Sequence, residues 1–251
     1  MKQKFVALIC ARAGSKGLRN KNIKKFDGKP LIAWSILLAK KIKEIDRVIV
    51  STESKKIANI ARKYGAEIPF VRPKKLSFDN SPEWKVWRHA VNFLKKQNKK
   101  IAGIIVLSPT APLRIVKDIQ KCIKLFKRYH HTTICVTKTH RNPFFNMVKK
   151  ENGFFKLVNS IKKIRTRQLA PQVYDMTTIC CILKPEIIIK NNFLFDDKVI
   201  GFTVPKNRSV DIDDKYDELN PYFQDHKNYY FLEFQHWKIF FQHCLFLYQL
   251  A

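Results

Sequence analysis

Short apolar runs alternate with longer stretches in which apolar residues return every third or fourth position, and this alternation persists through most of the chain. Phe5-Val6-Ala7-Leu8-Ile9-Cys10, Arg47–Ser51 and Ile101–Leu107 read as strands. The last is so uniformly apolar that it predicts a central strand covered on both faces. Leu31–Ala39 has near-helical apolar spacing behind Pro30, a residue suited to a helix start. A helix is expected from about Glu53 to Tyr64, closed by Gly65, and another from Ser81-Pro82-Glu83 to about Gln97 with Ser81 as its cap. Ile68–Val71 reads as a short strand, at an edge or distorted because Pro69 lacks an N–H. Asp118–Tyr129 is helical, Thr132–Thr137 is rich in β-branched residues, and Ile179–Leu183, Ile200–Val204 and Val210–Asp213 read as the last strands, before a helix opened by Asp214. This order of elements predicts an α/β, Rossmann-like fold with a mostly parallel sheet flanked by helices.

The alternation lapses between Arg141 and Met176, an aromatic and basic segment containing Pro143, Gly153 and Pro171. Beyond Leu219 the pattern changes again, to Tyr229-Tyr230-Phe231, Phe234, Trp237, Phe240-Phe241 and Phe246. Such aromatic density is either an extra interface or a tail whose coding sequence has shifted. The expected organisation is one domain over residues 1–219, interrupted by an arm at 141–176, with an atypical tail at 220–251.

A chain of 251 residues with 45% apolar content can bury a sizeable core. The net charge of +29 invites a nucleic-acid reading. The lysines, however, are spread along the whole length in pairs such as Lys40-Lys41 and Lys95-Lys96, with no basic arm, helix-turn-helix or zinc-finger spacing. They read as solvent-facing decoration that attracts anionic substrates, and no nucleic-acid partner is expected. The six cysteines contain no C-x-x-C pair and read as the reduced, buried thiols of a cytoplasmic protein. No membrane insertion is expected either. The opening apolar run is too short for a signal peptide, and Lys238, Gln242 and His243 interrupt the stretch from Trp237 to Leu250.

Two constellations carry chemistry. The first strand runs into a loop with Gly14, Gly17, Ser15, Asn20 and Asn22 among the cations Arg12, Lys16, Arg19 and Lys21. Glycine lets backbone N–H groups approach an anion, and the cations supply the countercharge of a nucleoside triphosphate. The spacing fits neither a Walker A loop nor G-x-G-x-x-G. In the second, Asp211 and Asp213 share one face if Val210–Asp213 is extended, and paired carboxylates make a hard oxygen site for Mg2+. Asp214 and Asp217 have the spacing of a helix cap.

The stretch Ala11-Arg12, Gly14-Ser15-Lys16-Gly17-Leu18, Lys21-Asn22 resembles the opening signature of the acylneuraminate cytidylyltransferases, and the resemblance extends over roughly residues 4–219. It implies that Arg12, Ser15, Lys16, Lys21 and Asn22 hold the triphosphate. Arg72, with Asp79 and Ser81, would face the cytidine. Leu107-Ser108-Pro109-Thr110-Ala111-Pro112-Leu113-Arg114 is similar to the family's L-Q-P-T-S-P-L-R, with Ser108 in place of glutamine. Ser108, Arg167, Gln172 and Tyr174 are the implied sugar-binding set, an arginine being suited to a sugar carboxylate. Asp211 and Asp213 are the implied Mg2+ ligands, and with Arg12 and Lys21 they form the implied catalytic set. Thr177 and Thr178 replace the residues usual after Tyr-Asp-Met, which leaves the sugar's identity open. The implied reaction joins CMP from CTP to a nine-carbon α-keto acid sugar and releases pyrophosphate. The arm would pair two subunits and lean into the neighbour's site; an excursion of one subunit is the alternative. The rival activities are another sugar nucleotidyltransferase, such as a Kdo cytidylyltransferase, and a basic nucleic-acid-binding α/β protein. Salt-dependent DNA affinity without CTP binding would mark the latter.

Overall fold

The computed structural model describes residues 4–14, 17–97, 100–160 and 164–214. In chain order the elements are β1 (Lys4–Cys10), β2 (Lys25–Phe26), β3 (Lys29–Pro30), α1 (Leu31–Lys40), β4 (Ile45–Ser51), α2 (Lys55–Lys63), α3 (Glu83–Lys95), β5 (Ile101–Val106), α4 (Val116–Tyr129), β6 (Thr132–Lys138), β7 (Val148–Glu151), β8 (Phe154–Leu157), β9 (Tyr174–Leu183), α5 (Pro185–Lys190) and β10 (Val199–Thr203). Six strands form one sheet in the order β10-β6-β9-β5-β1-β4. Its pairs are parallel except those of β9, which runs antiparallel to both β5 and β6.

Alternation along β1 builds the layers. Phe5, Ala7 and Ile9 face one way into a core with Ile32 and Ile36 of α1, Ile57 of α2 and Ile119, Ile123 and Phe126 of α4. Val6 and Leu8 face the other way, against Trp84, Trp87, Val91 and Leu94 of α3 and Ile188 of α5. Helices therefore cover both faces, which is why β1 and β5 must be apolar throughout. Because β1 lies between β4 and β5, the chain reverses its progress across the sheet there and leaves a crevice beyond the strands' C-terminal ends.

Three sequence expectations change locally. Residues 68–71 are not a strand. Val50 N donates to the Glu67 carbonyl at 2.9 Å and Glu67 N to Val48 at 2.8 Å, so pairing ends before Pro69, which has no N–H to continue it. Ser81 does not cap α3, whose N-cap is Pro82 with no side-chain bond. Its hydroxyl instead accepts from Phe78 N at 3.1 Å and donates to the Lys75 carbonyl at 3.2 Å, closing the preceding turn. Val210–Asp213 is not a strand; Ile212 N donates to the Thr110 carbonyl at 2.9 Å without building a ladder. The helix expected after Asp214, the capping role given to Asp217 and the tail at 220–251 lie outside the described residues.

The arm is rooted in the sheet. Its last residues belong to β9 and pair with β6 in the register Lys138↔Tyr174, Thr137↔Asp175 and Val136↔Met176. Between these roots, β7 and β8 form an antiparallel hairpin whose residues are all exposed, Phe154 at 73% and Phe155 at 68%.

Candidate active site

A cleft of about 720 Å3 opens at the C-terminal ends of β1 and β5, where Cys10 and Val106 form part of its floor. It gathers Arg12, Lys21, Asn22, Arg72, Asp79, Ser81, Ser108, Asp211 and Asp213, which come from both ends of the described chain. Ser15 and Lys16 lie outside the described residues. Arg167 and Gln172 do not reach this cleft and line a second one of about 340 Å3 with Lys138, His140, Arg141 and Asn142. Tyr174, at the start of β9, is exposed and lines neither. Met176, Thr177 and Thr178 of the same strand do line the first cleft.

The cationic loop and the acidic segment are in direct contact. Lys21 Nζ lies 2.6 Å from Asp213 Oδ1, although 192 positions separate the two residues. Gly17 makes this approach feasible, since a Cβ there would sit 2.7 Å from the Asp213 carbonyl oxygen. Below the contact, Leu18, Leu31 and Ile212 form a small apolar core with Phe26, Leu113 and Val210 packed against it. The two segments thus share a hydrophobic foundation as well as a charge pair.

The remaining wall is fixed by side chain to backbone bonds. Asn22 Nδ2 donates to the Arg12 carbonyl at 2.9 Å, and the Arg12 guanidinium pairs with Asp79 across the mouth. The buried Arg72 donates from Nε to Ser51 Oγ at 3.1 Å and from Nη2 to the Ser51 carbonyl, so the end of β4 holds the guanidinium at the cleft. Ala13 N donates to Glu53 Oε1 at 2.7 Å, which uses Glu53 to brace the loop and leaves Ser54 to cap α2.

Arg114 closes the motif that follows β5, and it is structural. Only 1% exposed, it donates to the carbonyls of Ala111 (2.7 Å), Ile179 (2.8 Å) and Ser108. Burial lowers its pKa to about 10, which leaves it charged at neutral pH. The Ser108 backbone is therefore pinned, and its hydroxyl meets Thr110 Oγ1 at 2.6 Å at the cleft floor.

Asp211 carries the electrostatic signature of a ligand site. Its Oδ1 is buried with no hydrogen-bond partner. Burial raises its carboxyl above the usual range; the hydroxyl of Thr110 opposes, the charge of Asp213 adds, and Thr178 and Lys21 oppose. A buried carboxylate oxygen without a partner is costly unless a cation or donor meets it. Among the described residues no three His, Cys, Asp or Glu side chains form a metal-binding cluster, and Asp211 and Asp213 both line the cleft.

No sequence pattern singles out Glu83, which opens α3 and lines the cleft. Although solvent-accessible, its carboxyl is hemmed in by protein, and desolvation raises its pKa; Trp87 and Arg72 oppose this and the charge of Asp211 adds to it. Neighbouring Cys10 is pushed up to about 12 by burial, Arg72 opposing and Glu83 adding. No helix among the described residues is long and apolar enough to cross a membrane.

The cytidylyltransferase family profile matches residues 6–149, more than half of the chain. The post-translational flagellin modification protein B of Campylobacter coli is 34% identical over 216 residues, covering 85% of this chain and 91% of that protein. The CMP-N,N'-diacetyllegionaminic acid synthase of Campylobacter jejuni is 35% identical with the same coverage. Among solved structures, a CMP:2-keto-3-deoxy-manno-octonic acid synthetase complexed with CTP superposes with a TM-score of 0.67 at 14% identity, over 90% of this chain and all of that one. At that identity the match speaks for the fold.

Proposed function

The chain belongs to the cytidylyltransferase family, and from that premise we propose that it transfers CMP from CTP to a nine-carbon α-keto acid sugar of the sialic-acid class, releasing pyrophosphate. The observation that carries this reading is the meeting of Lys21 with the Asp211–Asp213 segment in one cleft at the strands' C-terminal ends. Relatives at about one-third identity that span most of the chain carry names of this chemistry.

The sugar's anomeric hydroxyl attacks the α-phosphorus in line with the departing pyrophosphate; one P–O bond forms, the bond to the β-phosphate bridge breaks, and the hydroxyl proton is released. Lys21 and Arg12, which line the cleft, would neutralise charge growing on the leaving group, and Ser15 and Lys16, from the same stretch of sequence, would assist. Positioning does most of the work, since phosphoryl chemistry of this type leaves little covalent labour to side chains. Asp211 and Asp213 fit Mg2+, because two hard carboxylates, one with an orphaned buried oxygen, suit a cation that takes its other ligands from phosphates and water. Bound there, Mg2+ would supply charge neutralisation at the phosphates.

The arm at 141–176 fits a dimerisation role through the exposed Phe154 and Phe155 of its hairpin. Its Arg167, Gln172 and Tyr174 would then serve a sugar in the cleft of a second copy. A cytoplasmic location accords with the free cysteines Cys10, Cys122, Cys135, Cys180 and Cys181. The deciding experiment measures pyrophosphate release from CTP and Mg2+ across a panel of nonulosonic acids, with Kdo included. Release with a nonulosonic acid and not with Kdo is expected; release with Kdo alone, or with no acceptor, would overturn the assignment.

A further inference from the structure

Lysines that look evenly scattered along the sequence are sorted by the fold. Helices α1, α2 and α4 pack through one core cluster onto one face of the sheet, whereas α3 and α5 pack through the other cluster onto the opposite face. The helices of the first layer carry no exposed acid. On α4 the solvent-facing Lys117, Lys121, Lys124 and Arg128 recur at helical spacing, with Lys127 beside them. The acid of that helix, Asp118, is 1% exposed and paired with Arg208. α2 has no acidic residue and presents Lys55, Lys56, Arg62 and Lys63; α1 has none either and ends at the exposed Lys40. None of these cations enters a salt bridge among the described residues. The opposite layer is mixed, with Glu83 and Glu186 exposed alongside Lys85, Lys95 and Lys190.

A cationic face without counter-charges of its own repels itself, and a facing polyanion relieves that repulsion. Its make-up decides which polyanion. Each of the three helices is seated on the sheet by its apolar side, and among the described residues Tyr129, at 44%, is their one exposed large hydrophobic side chain. A duplex is read by an element that enters a groove, and a single strand by a row of stacking aromatics; neither occurs in this layer. A broad, even spread of negative charge fits instead. We infer that the layer of α1, α2 and α4 is a docking face for an anionic lipid bilayer, held by charge and without insertion. The cleft opens at the C-terminal ends of β1 and β5, on an edge of the sheet, so a bilayer against the helical face leaves its mouth open to solution. The attachment is independent of the reaction assigned to the cleft.

The test is co-sedimentation of the full chain with vesicles of phosphatidylcholine alone and of phosphatidylcholine with an equal part of phosphatidylglycerol, at low and at high salt. The protein should bind the anionic vesicles at low salt, leave them at high salt and ignore the neutral ones. One basic residue near such a surface is worth about fivefold in affinity, so Lys117→Glu combined with Lys124→Glu should weaken binding at least about 20-fold. Lys85→Glu combined with Lys95→Glu changes the net charge equally on the far layer, beyond the ~10 Å screening length of moderate salt, and should leave binding near that of the wild type. Both double variants should melt with the wild type and release pyrophosphate at its rate, since none of the four residues lines the cleft. Equal weakening by the two variants would show that net charge, and not this face, drives the association. No binding to anionic vesicles, equal binding to neutral ones, or binding of duplex DNA in place of vesicles would likewise overturn the inference.

Discussion

Adding one methyl group at Gly17 asks whether the cationic loop and the acidic segment must touch for turnover. A Cβ there would stand 2.7 Å from the Asp213 carbonyl oxygen, against 3.4 Å for ordinary contact, so in Gly17→Ala the two backbones must part by about 0.7 Å. The obstacle is backbone and cannot rotate away. Asp213 follows Ile212, which the satellite core and the bond to the Thr110 carbonyl hold in place, so the displacement falls on the loop and stretches the 2.6 Å contact between Lys21 and Asp213. Misplacement on the order of 1 Å typically costs ~10²-fold in rate, and a drop of roughly 10- to 100-fold in kcat is expected. The strain should cost about 1–2 kcal/mol, or a melting shift of roughly 2–8 °C for a domain of this size. Gly14→Ala is the control for stability alone, since nothing lies within 4 Å of a Cβ at that position and its backbone needs no positive φ. Pyrophosphate release and a thermal melt on both variants decide the matter. Gly17→Ala with wild-type kcat and melting temperature would show that the close approach is incidental.

Lys21→Ala should lower kcat by ~10²-fold, the usual cost of one preorganised charge contact, while the melting temperature holds; near-normal turnover would remove Lys21 from the machinery. Asp211→Asn should behave in the opposite sense on stability. Its folded pKa is raised, so the fold disfavours the charge carried at neutral pH, and without ligands the variant should melt at or above the wild type while activity collapses and Mg2+ with CTP no longer raises its melting temperature. A lower melting point with activity kept would contradict this. Arg208 pairs with the buried Asp118 at 3.0 and 2.8 Å, and neither residue lines the cleft. Arg208→Ala strands that carboxylate and should cost about 3 kcal/mol in chemical denaturation with little change in kcat; a loss under about 1 kcal/mol would mean that water replaces the pair.

The layered fold was legible because its strands and helices repeat with periods of 2 and 3.6, and because β1 and β5 are apolar on both faces. The errors fall where a single residue overrules the period. Pro69 ends the pairing of 68–71, and Ile212 is buried by a local cluster without belonging to a ladder, so the alternation that paired Asp211 with Asp213 reached a correct neighbourhood through an incorrect element. Arg114 looked like part of a ligand segment and is a core staple, since its three carbonyl acceptors come from backbone that no side-chain pattern announces. Glu83 was hidden for the converse reason: an acidic residue in the first turn of a helix is explained by the helix alone, and only the fold shows that this one opens into the cleft.

Arg167 and Gln172 pose a sharper problem, because the proposed sugar site calls on them and they line the second cleft instead of the first. The ladder Lys138↔Tyr174, Thr137↔Asp175, Val136↔Met176 anchors the root of the arm, and Asn142 Nδ2 donates to the Pro171 carbonyl at 2.8 Å, which ties residues 167–172 to the second cleft. The proposed dimer would bring them to the cleft of a second copy. Mixing subunits tests this directly. Lys21→Ala and Arg167→Ala each disable a site as homodimers, but a mixed dimer in which arms are exchanged contains one site with an intact Lys21 and an intact Arg167. Co-refolding equal amounts should restore roughly a quarter of wild-type activity by random assortment of two-fold dimers. No recovery, with mixed dimers verified by mass, would mean that the arm acts within its own chain or takes no part in the reaction.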